Sequence, residues 1–258
     1  VLVPILGIEV KGAKRWIDLF FFRLQPIEII KPFFVLITAT IICSYKNKNV
    51  NYSYFISLCL LALIIVLLLN QPDVGQSILL ITTWISIVFI SGIKISYIIL
   101  LIFLLLALSI LLFLIFPGKF TYIFLRLITF MDPSKGDSFQ TDKALAAIKQ
   151  GGLKGQGMGE GILKESVPEA HTDYIIAVIT EEFGSFVSIG VITIFLFISY
   201  KIIKNCINNA DELIKISLCG LSSLLIFQTF IHIGVNTSLL PTTGMTLPFL
   251  SYGGSSLI

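Results

Sequence analysis

The chain has 258 residues, 56% of them hydrophobic and only 13% charged, with a mean hydropathy of +0.96 and a net charge of +3. A soluble domain of this length carries about twice that charge, so the composition excludes one and points to an integral membrane protein with many helices. The small net charge gives no reason to expect nucleic acid as a partner, and the four cysteines (Cys43, Cys59, Cys206, Cys219), lacking metal or redox spacing, read as packing residues.

In chain order, Val1–Leu6 reads as the tail of an earlier span, and the chain as the middle and late part of a longer membrane protein. Six complete spans follow, at 27–44, 54–70, 77–93, 96–116, 174–200 and 214–236, and Phe249–Ile258 reads as the start of another. The first span opens with Gln25-Pro26-Ile27-Glu28. Proline just inside a helix start and an acid in its first turn suit the free N–H groups and the positive dipole end. Pro32 is expected to kink the same helix.

Short loops set the orientation. Lys46 and Lys48, then Lys94, then Lys201, Lys204 and Lys215 follow alternate spans, which places those three loops in the cytoplasm by the positive-inside rule. Lys11, Lys14 and Arg15, the Asn70-Gln71-Pro72-Asp73 turn and the long 117–173 segment then lie outside. That segment is the one sizeable non-membrane piece. After Asp132-Pro133 it is rich in glycine; Ala144, Leu145 and Ile148 predict a short amphipathic helix over 140–150, and Gly151–Gly161 reads as a flexible loop. Loops longer than about fifteen residues are usually functional or disordered, and attachment to helices at both ends favours function.

The residues with the most chemistry are Pro168-Glu169-Ala170-His171-Thr172-Asp173, placed where the fifth span begins. Two acids, an imidazole and a hydroxyl at the lip of a span are rarely there without a task. Asp173 and Thr172 would also serve as ordinary helix-capping residues. Glu181 and Glu182 follow about 12 Å deeper at 1.5 Å per residue. There they need partners, a wet cavity or protonation; a buried ion pair with Lys31 is the structural alternative to substrate contact. The run Tyr174–Tyr200 is about 40 Å long as a helix against a hydrocarbon core of about 30 Å, so it should tilt or project. Arg15, beside Trp16, and Arg126 either anchor the chain at lipid phosphates or clamp a diphosphate, for which guanidinium forks are suited. His232 reads as an interhelical hydrogen bonder.

Seven segments together resemble a known family. They are Gly12-Ala13-Lys14-Arg15-Trp16-Ile17, Gln25-Pro26-Ile27-Glu28-Ile29-Ile30-Lys31, Gln71-Pro72-Asp73-Val74-Gly75, Gly136-Asp137-Ser138-Phe139-Gln140, the glycines from Gly151-Gly152 to Gly159, Pro168–Asp173, and Pro241 through Ser256. In this order they resemble the SEDS proteins (shape, elongation, division, sporulation), most closely the cell-division branch, FtsW. The resemblance implies an all-α, polytopic transmembrane bundle of about ten helices, one long extracytoplasmic loop, and residence in the bacterial plasma membrane at the division septum. It implies peptidoglycan glycosyltransfer from lipid II, with a class B penicillin-binding protein and other divisome membrane proteins as partners. Asp173 matches the acid regarded as catalytic, and Arg15 and Lys31 match motif positions facing the central cavity. Ile27 stands where Ser is usual, and Lys11 where Asn is common.

The expected mechanism uses Asp173 as general base, taking the proton of a lipid II hydroxyl as it attacks an anomeric carbon. A carboxylate half sheltered by apolar surface has a raised pKa that suits base chemistry near neutrality. Glu169, His171 and Thr172 join Arg15, Lys31 and Arg126 as the expected substrate-binding set. Arg15, Arg126 or a divalent cation would stabilise the leaving diphosphate; no other cofactor is expected. The 134–165 loop would fold over the sugars and exclude water. Two alternatives stand beside this one: a lipid II transporter using Glu181, Glu182 and Lys31 as a polar path, and an inactive scaffold.

Overall fold

A computed structural model of the chain describes residues 7–10, 13–18, 23–46, 50–115, 117–132, 138–207 and 209–252. Among the described residues three short antiparallel strands come first, β1 (Ile8–Val10), β2 (Ala13–Asp18) and β3 (Arg23–Leu24). Among the described residues eight α-helices follow: α1 (Pro26–Lys46), α2 (Val50–Leu69), α3 (Val74–Ile90), α4 (Ile95–Ile115), α5 (Pro117–Met131), α6 (Phe139–Gly151), α7 (Ile175–Ile207) and α8 (Glu212–Asn236). Six of them, α1–α4, α7 and α8, occupy the six predicted spans. Among the described residues, four contain stretches able by length and composition to cross a membrane: Pro26–Ser44, Tyr52–Leu69, Ile175–Ile207 and Glu212–Asn236. Helix α3 has 17 residues, at the short end of what spans a bilayer.

Local chemistry sets the helix starts. Pro26 opens α1 with Glu28 in its first turn. Asp73 caps α3, its carboxylate accepting from the Gln76 N–H, and Asp211 caps α8 by accepting from Leu213 N–H at 2.8 Å. The predicted amphipathic helix is present as α6, one residue longer at each end, with Ala144 and Ala147 fully buried.

Helix α8 is the hub of the bundle, packing against α1, α3, α6 and α7. Small residues allow the approach: a Cβ on Gly220 would lie 2.6 Å from Val35 and 3.0 Å from Ile87. Between membrane helices such close packing is the attraction that lipid does not supply. Phe34, Val35, Ala39, Leu79, Leu80, Ile87 and Ile231 form the core of this contact, whereas Phe186, Ile189, Ile194 and Phe197 on α7 face outward.

Three expectations change. First, α5 lies within what the sequence presents as a loop; its exposed Phe124, Leu125 and Leu127 alternate with the half-buried Tyr122 and Arg126, so one face returns to the bundle. Second, the long fifth span is not a continuous rod. Gly184 has φ +83 and ψ 170, which breaks α7 after Glu181-Glu182-Phe183. The glycine-rich segment docks into this break: Gln156 N–H donates to Glu181 O, Gly157 N–H to Glu182 O, and Ser185 N–H to Gly152 O. The backbone groups freed by the break are satisfied by protein, as an interrupted membrane helix requires. Side chains on Gly151, Gly155 or Gly184 would overlap the facing backbone, so these glycines serve close approach and not flexibility. Third, Cys206 and Cys219 form a disulfide joining α7 to α8, and Cys43 and Cys59 take no part in it; thirteen residues of separation carry no recognisable disulfide signature.

Candidate active site

Asp173 stands two residues before the first residue of α7, and α8 and the segment after it build its surroundings. Gly244, with φ +69, passes directly over the carboxylate. The point where a side chain on Gly244 would begin lies 3.6 Å from Asp173 Oδ2 and 3.7 Å from Arg15 Nη1. An acid and a guanidinium from sequence positions 158 residues apart therefore line one small space. Arg126 belongs to the same cluster, interacting electrostatically with Arg15, Asp73, Tyr122 and Asp173. Its Nη1 donates to Thr242 O at 3.1 Å, two residues from Gly244.

Arg15 is held from β2 against the turn before α3. Its Nε donates to Gln71 O at 3.1 Å, its Nη2 donates to Pro72 O, and Asp73 Oδ2 lies 3.7 Å from Nε. Pro72 adopts φ 26 in this turn. Burial raises the Asp73 carboxyl above its ordinary pKa, opposed by the Arg15 guanidinium and the Gln76 N–H bond. Burial, and then the Asp173 carboxylate, push the Tyr174 phenol above its usual range, so it stays protonated.

The other predicted residues divide. Thr172 is half-buried and its hydroxyl donates to Glu169 Oε2 at 2.9 Å. Glu169, with φ +60, accepts the N–H groups of Thr172, Asp173 and Tyr174 at its carbonyl, shaping the turn that delivers Asp173. The His171 and Glu169 side chains are exposed at the lip. Lys31 is 2% exposed and lies deeper, 2.6 Å from Glu28 Oε2 and donating to Gln228 Oε1 at 2.9 Å. It is not paired with Glu181, whose Oε1 accepts from Leu163 N–H at 2.8 Å; the break in α7 faces α6 and the glycine-rich segment, away from α1. Ile27, at the position the family pattern gives to Ser, packs in the core. Lys11 lies outside the described residues, and so does the side chain of Lys14.

A ladder of amides connects Lys31 to the lip. Gln76 Nε2 donates to Glu28 at 2.9 Å, Gln228 Nε2 donates to Thr246 O at 2.9 Å, and His232 Nδ1 is 2.9 Å from Met245 O. His232 is thus the interhelical bonder its isolation suggests. Sequence reasoning missed Tyr122, Gln228 and Asn236. The hydroxyl of Tyr122, next to Arg126 and Arg15, is buried without a hydrogen-bond partner among the described residues. A polar residue recurring every four positions on one face of an apolar helix (Gln228, His232, Asn236) was the available signal. Among the described residues no group of three or more His, Cys, Asp or Glu is placed to hold a metal ion.

The model of the FTSW_RODA_SPOVE family, described as cell cycle protein, matches residues 1–258. The chain belongs to the FtsW/RodA/SpoVE family. Among relatives in this family, it is 35% identical over 259 residues to the probable peptidoglycan glycosyltransferase FtsW of Caulobacter vibrioides and 37% identical over 268 residues to that of Francisella salina, covering all of this chain and 65% of each relative. The FtsW of Coxiella burnetii is 34% identical over 267 residues, with 71% of that protein covered. In fold, the chain resembles a chain from a study of structural coordination of polymerization and crosslinking by a peptidoglycan synthase complex (TM-score 0.77, 24% identity, 99% of this chain and 72% of that one). It also resembles Thermus thermophilus rod shape determining protein RodA (TM-score 0.67, 24% identity, 99% and 68%).

Proposed function

We propose that the protein carrying this chain is a peptidoglycan glycosyltransferase that polymerises lipid II into glycan strands outside the plasma membrane during cell division. The observation that carries the reading is the space beneath Gly244, with the Asp173 carboxylate on one side and the Arg15 guanidinium on the other. Asp173 takes the proton from a sugar hydroxyl of the incoming lipid II. That oxygen forms a bond to the anomeric carbon of the growing strand as the bond from this carbon to the lipid diphosphate breaks. Negative charge develops on the departing diphosphate. Arg15 and Arg126 lie in the same electrostatic neighbourhood as Asp173 and supply fixed donors for that charge without reorganisation. Glu169 and His171, exposed at the lip, are available to the sugars, and Thr172 to the turn that holds Asp173. The glycine-rich segment, docked on α7 at the Gly184 break, is the part of the chain proposed to restrict water so that transfer prevails over hydrolysis.

The named relatives support the reaction class, since curated FtsW proteins are called probable peptidoglycan glycosyltransferases. A class B penicillin-binding protein as cross-linking partner, further divisome membrane proteins, and residence at the septum belong to the same proposal. The transport alternative draws on Glu181, Glu182 and Lys31, but Lys31 is paired with Glu28 and Gln228 and Glu181 accepts from Leu163 N–H, and Asp173 is at the lip instead of the midplane where transporter sites lie. One product assay decides. Purified full-length protein supplied with labelled lipid II should make glycan polymer, and Asp173→Asn should make none while inserting normally. Polymer from Asp173→Asn at the wild-type rate would overturn the assignment; relocated lipid II without new glycosidic bonds would favour transport.

A further inference from the structure

We infer that Asn236 is the positioning residue for Asp173, acting through the backbone at the start of α7; this rests on the general-base reading of Asp173. Asn236 is the last residue of α8 and has no exposed surface. Its Nδ2 donates to the Asp173 carbonyl at 2.9 Å, and its Oδ1 accepts from the Ala177 N–H at 3.2 Å. A carbonyl and the N–H four residues later are the pair that would close the first turn of an α-helix. The side-chain amide of Asn236 supplies a donor to one and an acceptor to the other, standing between them as a peptide group would. Asp173 is therefore held at the threshold of α7 by a different helix. A second donation, from Nδ2 to His232 O at 2.8 Å, ties the amide to α8 itself.

The adjoining peptides are held in the same manner. Ser251 Oγ donates to Thr172 O at 2.6 Å, and Tyr252 N–H donates to His171 O at 2.8 Å. Three successive carbonyls, at 171, 172 and 173, are thus each gripped by a group from α8 or the segment that follows it. The same segment carries Gly244 and Thr242, so one unit sets the position of the carboxylate, the roof over it and the contact to Arg126. Asparagine is the fitting residue here. Aspartate would turn an acceptor toward the Asp173 carbonyl, and an apolar residue would withdraw the donor from that carbonyl and leave the Ala177 N–H with its 3.0 Å bond to Tyr174 O alone.

The test uses full-length protein, folded by gel filtration in detergent, and kcat and KM for lipid II polymerisation. Displacing a catalytic group by an ångström costs about a hundred-fold. Asn236→Ala should therefore lower kcat about that much with KM changed less than about two-fold. Ser251→Ala should lower kcat in the same sense, and Ser251→Thr, which keeps the hydroxyl, should restore it. Leu224→Ala, a core truncation on the same helix, should lower the melting temperature yet keep its kcat per folded molecule. Wild-type kcat in Asn236→Ala and Ser251→Ala, or an equal kcat loss in Leu224→Ala, overturns the inference. Should Asn236→Ala fail to fold, the Ser251 pair decides. Asp173→Asn run alongside separates the two readings: its full activity refutes the general base, whereas its inactivity with unimpaired Asn236 and Ser251 variants refutes only the positioning role.

Discussion

Replacing Gly244 by alanine is the sharpest perturbation of the site. The new methyl would meet Asp173 Oδ2 at 3.6 Å and Arg15 Nη1 at 3.7 Å, ordinary contact distances, so nothing in the protein must move to admit it. The backbone cost comes from φ +69, about 1–2 kcal/mol for an L-residue in that region. For a chain of this size each kcal/mol lowers the melting temperature by about 2–4 °C, so folding survives. Substrate suffers more. An oxygen hydrogen-bonded to the carboxylate or the guanidinium sits about 2.7–3 Å from it, and the methyl occupies the space such an oxygen needs. Lipid II polymerisation should fall about a hundred-fold in kcat/KM, the scale of a one-ångström misplacement. Gly92→Ala is the control, because Gly92 has φ +95 and open space where its side chain would be. It should show the same modest loss of melting temperature with full activity per folded molecule. If Gly244→Ala polymerised as fast as Gly92→Ala, the reacting atoms would not lie beneath Gly244, and the site would have to be drawn elsewhere.

Other expectations concern the surrounding structure. Lys31→Met strands Glu28 in the interior and should destabilise the protein by about 3–5 kcal/mol; Glu28→Gln combined with Lys31→Met should recover part of it in thermal melts. Arg126→Gln removes a charge-assisted bond worth about 1.5–3 kcal/mol, so kcat/KM for lipid II polymerisation should fall at least about ten-fold, and an unchanged kcat/KM would remove Arg126 from the reaction. Gly151→Ala forces a side chain into the Thr180 backbone; overpacking of about 1–3 kcal/mol should undock the glycine-rich segment and speed protease cleavage within 152–162. Thiols at the end of the bundle assigned to the cytoplasm are ordinarily kept reduced. Alkylation counted by mass should then find four reactive cysteines in reduced, unfolded protein and two after oxidation, Cys43 and Cys59.

Covalent order settled much of this protein. Long apolar runs have no low-energy state in a bilayer except as helices, so six segments were readable from composition, and α6 from the spacing of Ala144, Leu145 and Ile148. The acid at the lip was readable because charge is sparse in a chain this apolar, and its recurrence with Arg15 and the Pro241–Ser256 run in a known order carried the family. Periodicity reports only which face of a helix is apolar, not what meets it. It therefore could not place Glu181 against Leu163 in preference to Lys31, nor show that Gly184 divides α7, since one glycine inside an apolar run has the same local pattern whether or not the backbone turns there. The Cys206–Cys219 bridge and the amide of Asn236 joining Asp173 to Ala177 depend on how α8 sits against α7. That placement follows from close packing at Gly220 and from backbone groups that must find partners across the bundle. Only the folded chain brings Arg15, Asp173 and Gly244 to one point, because proximity across more than two hundred residues is a property of packing and not of spacing.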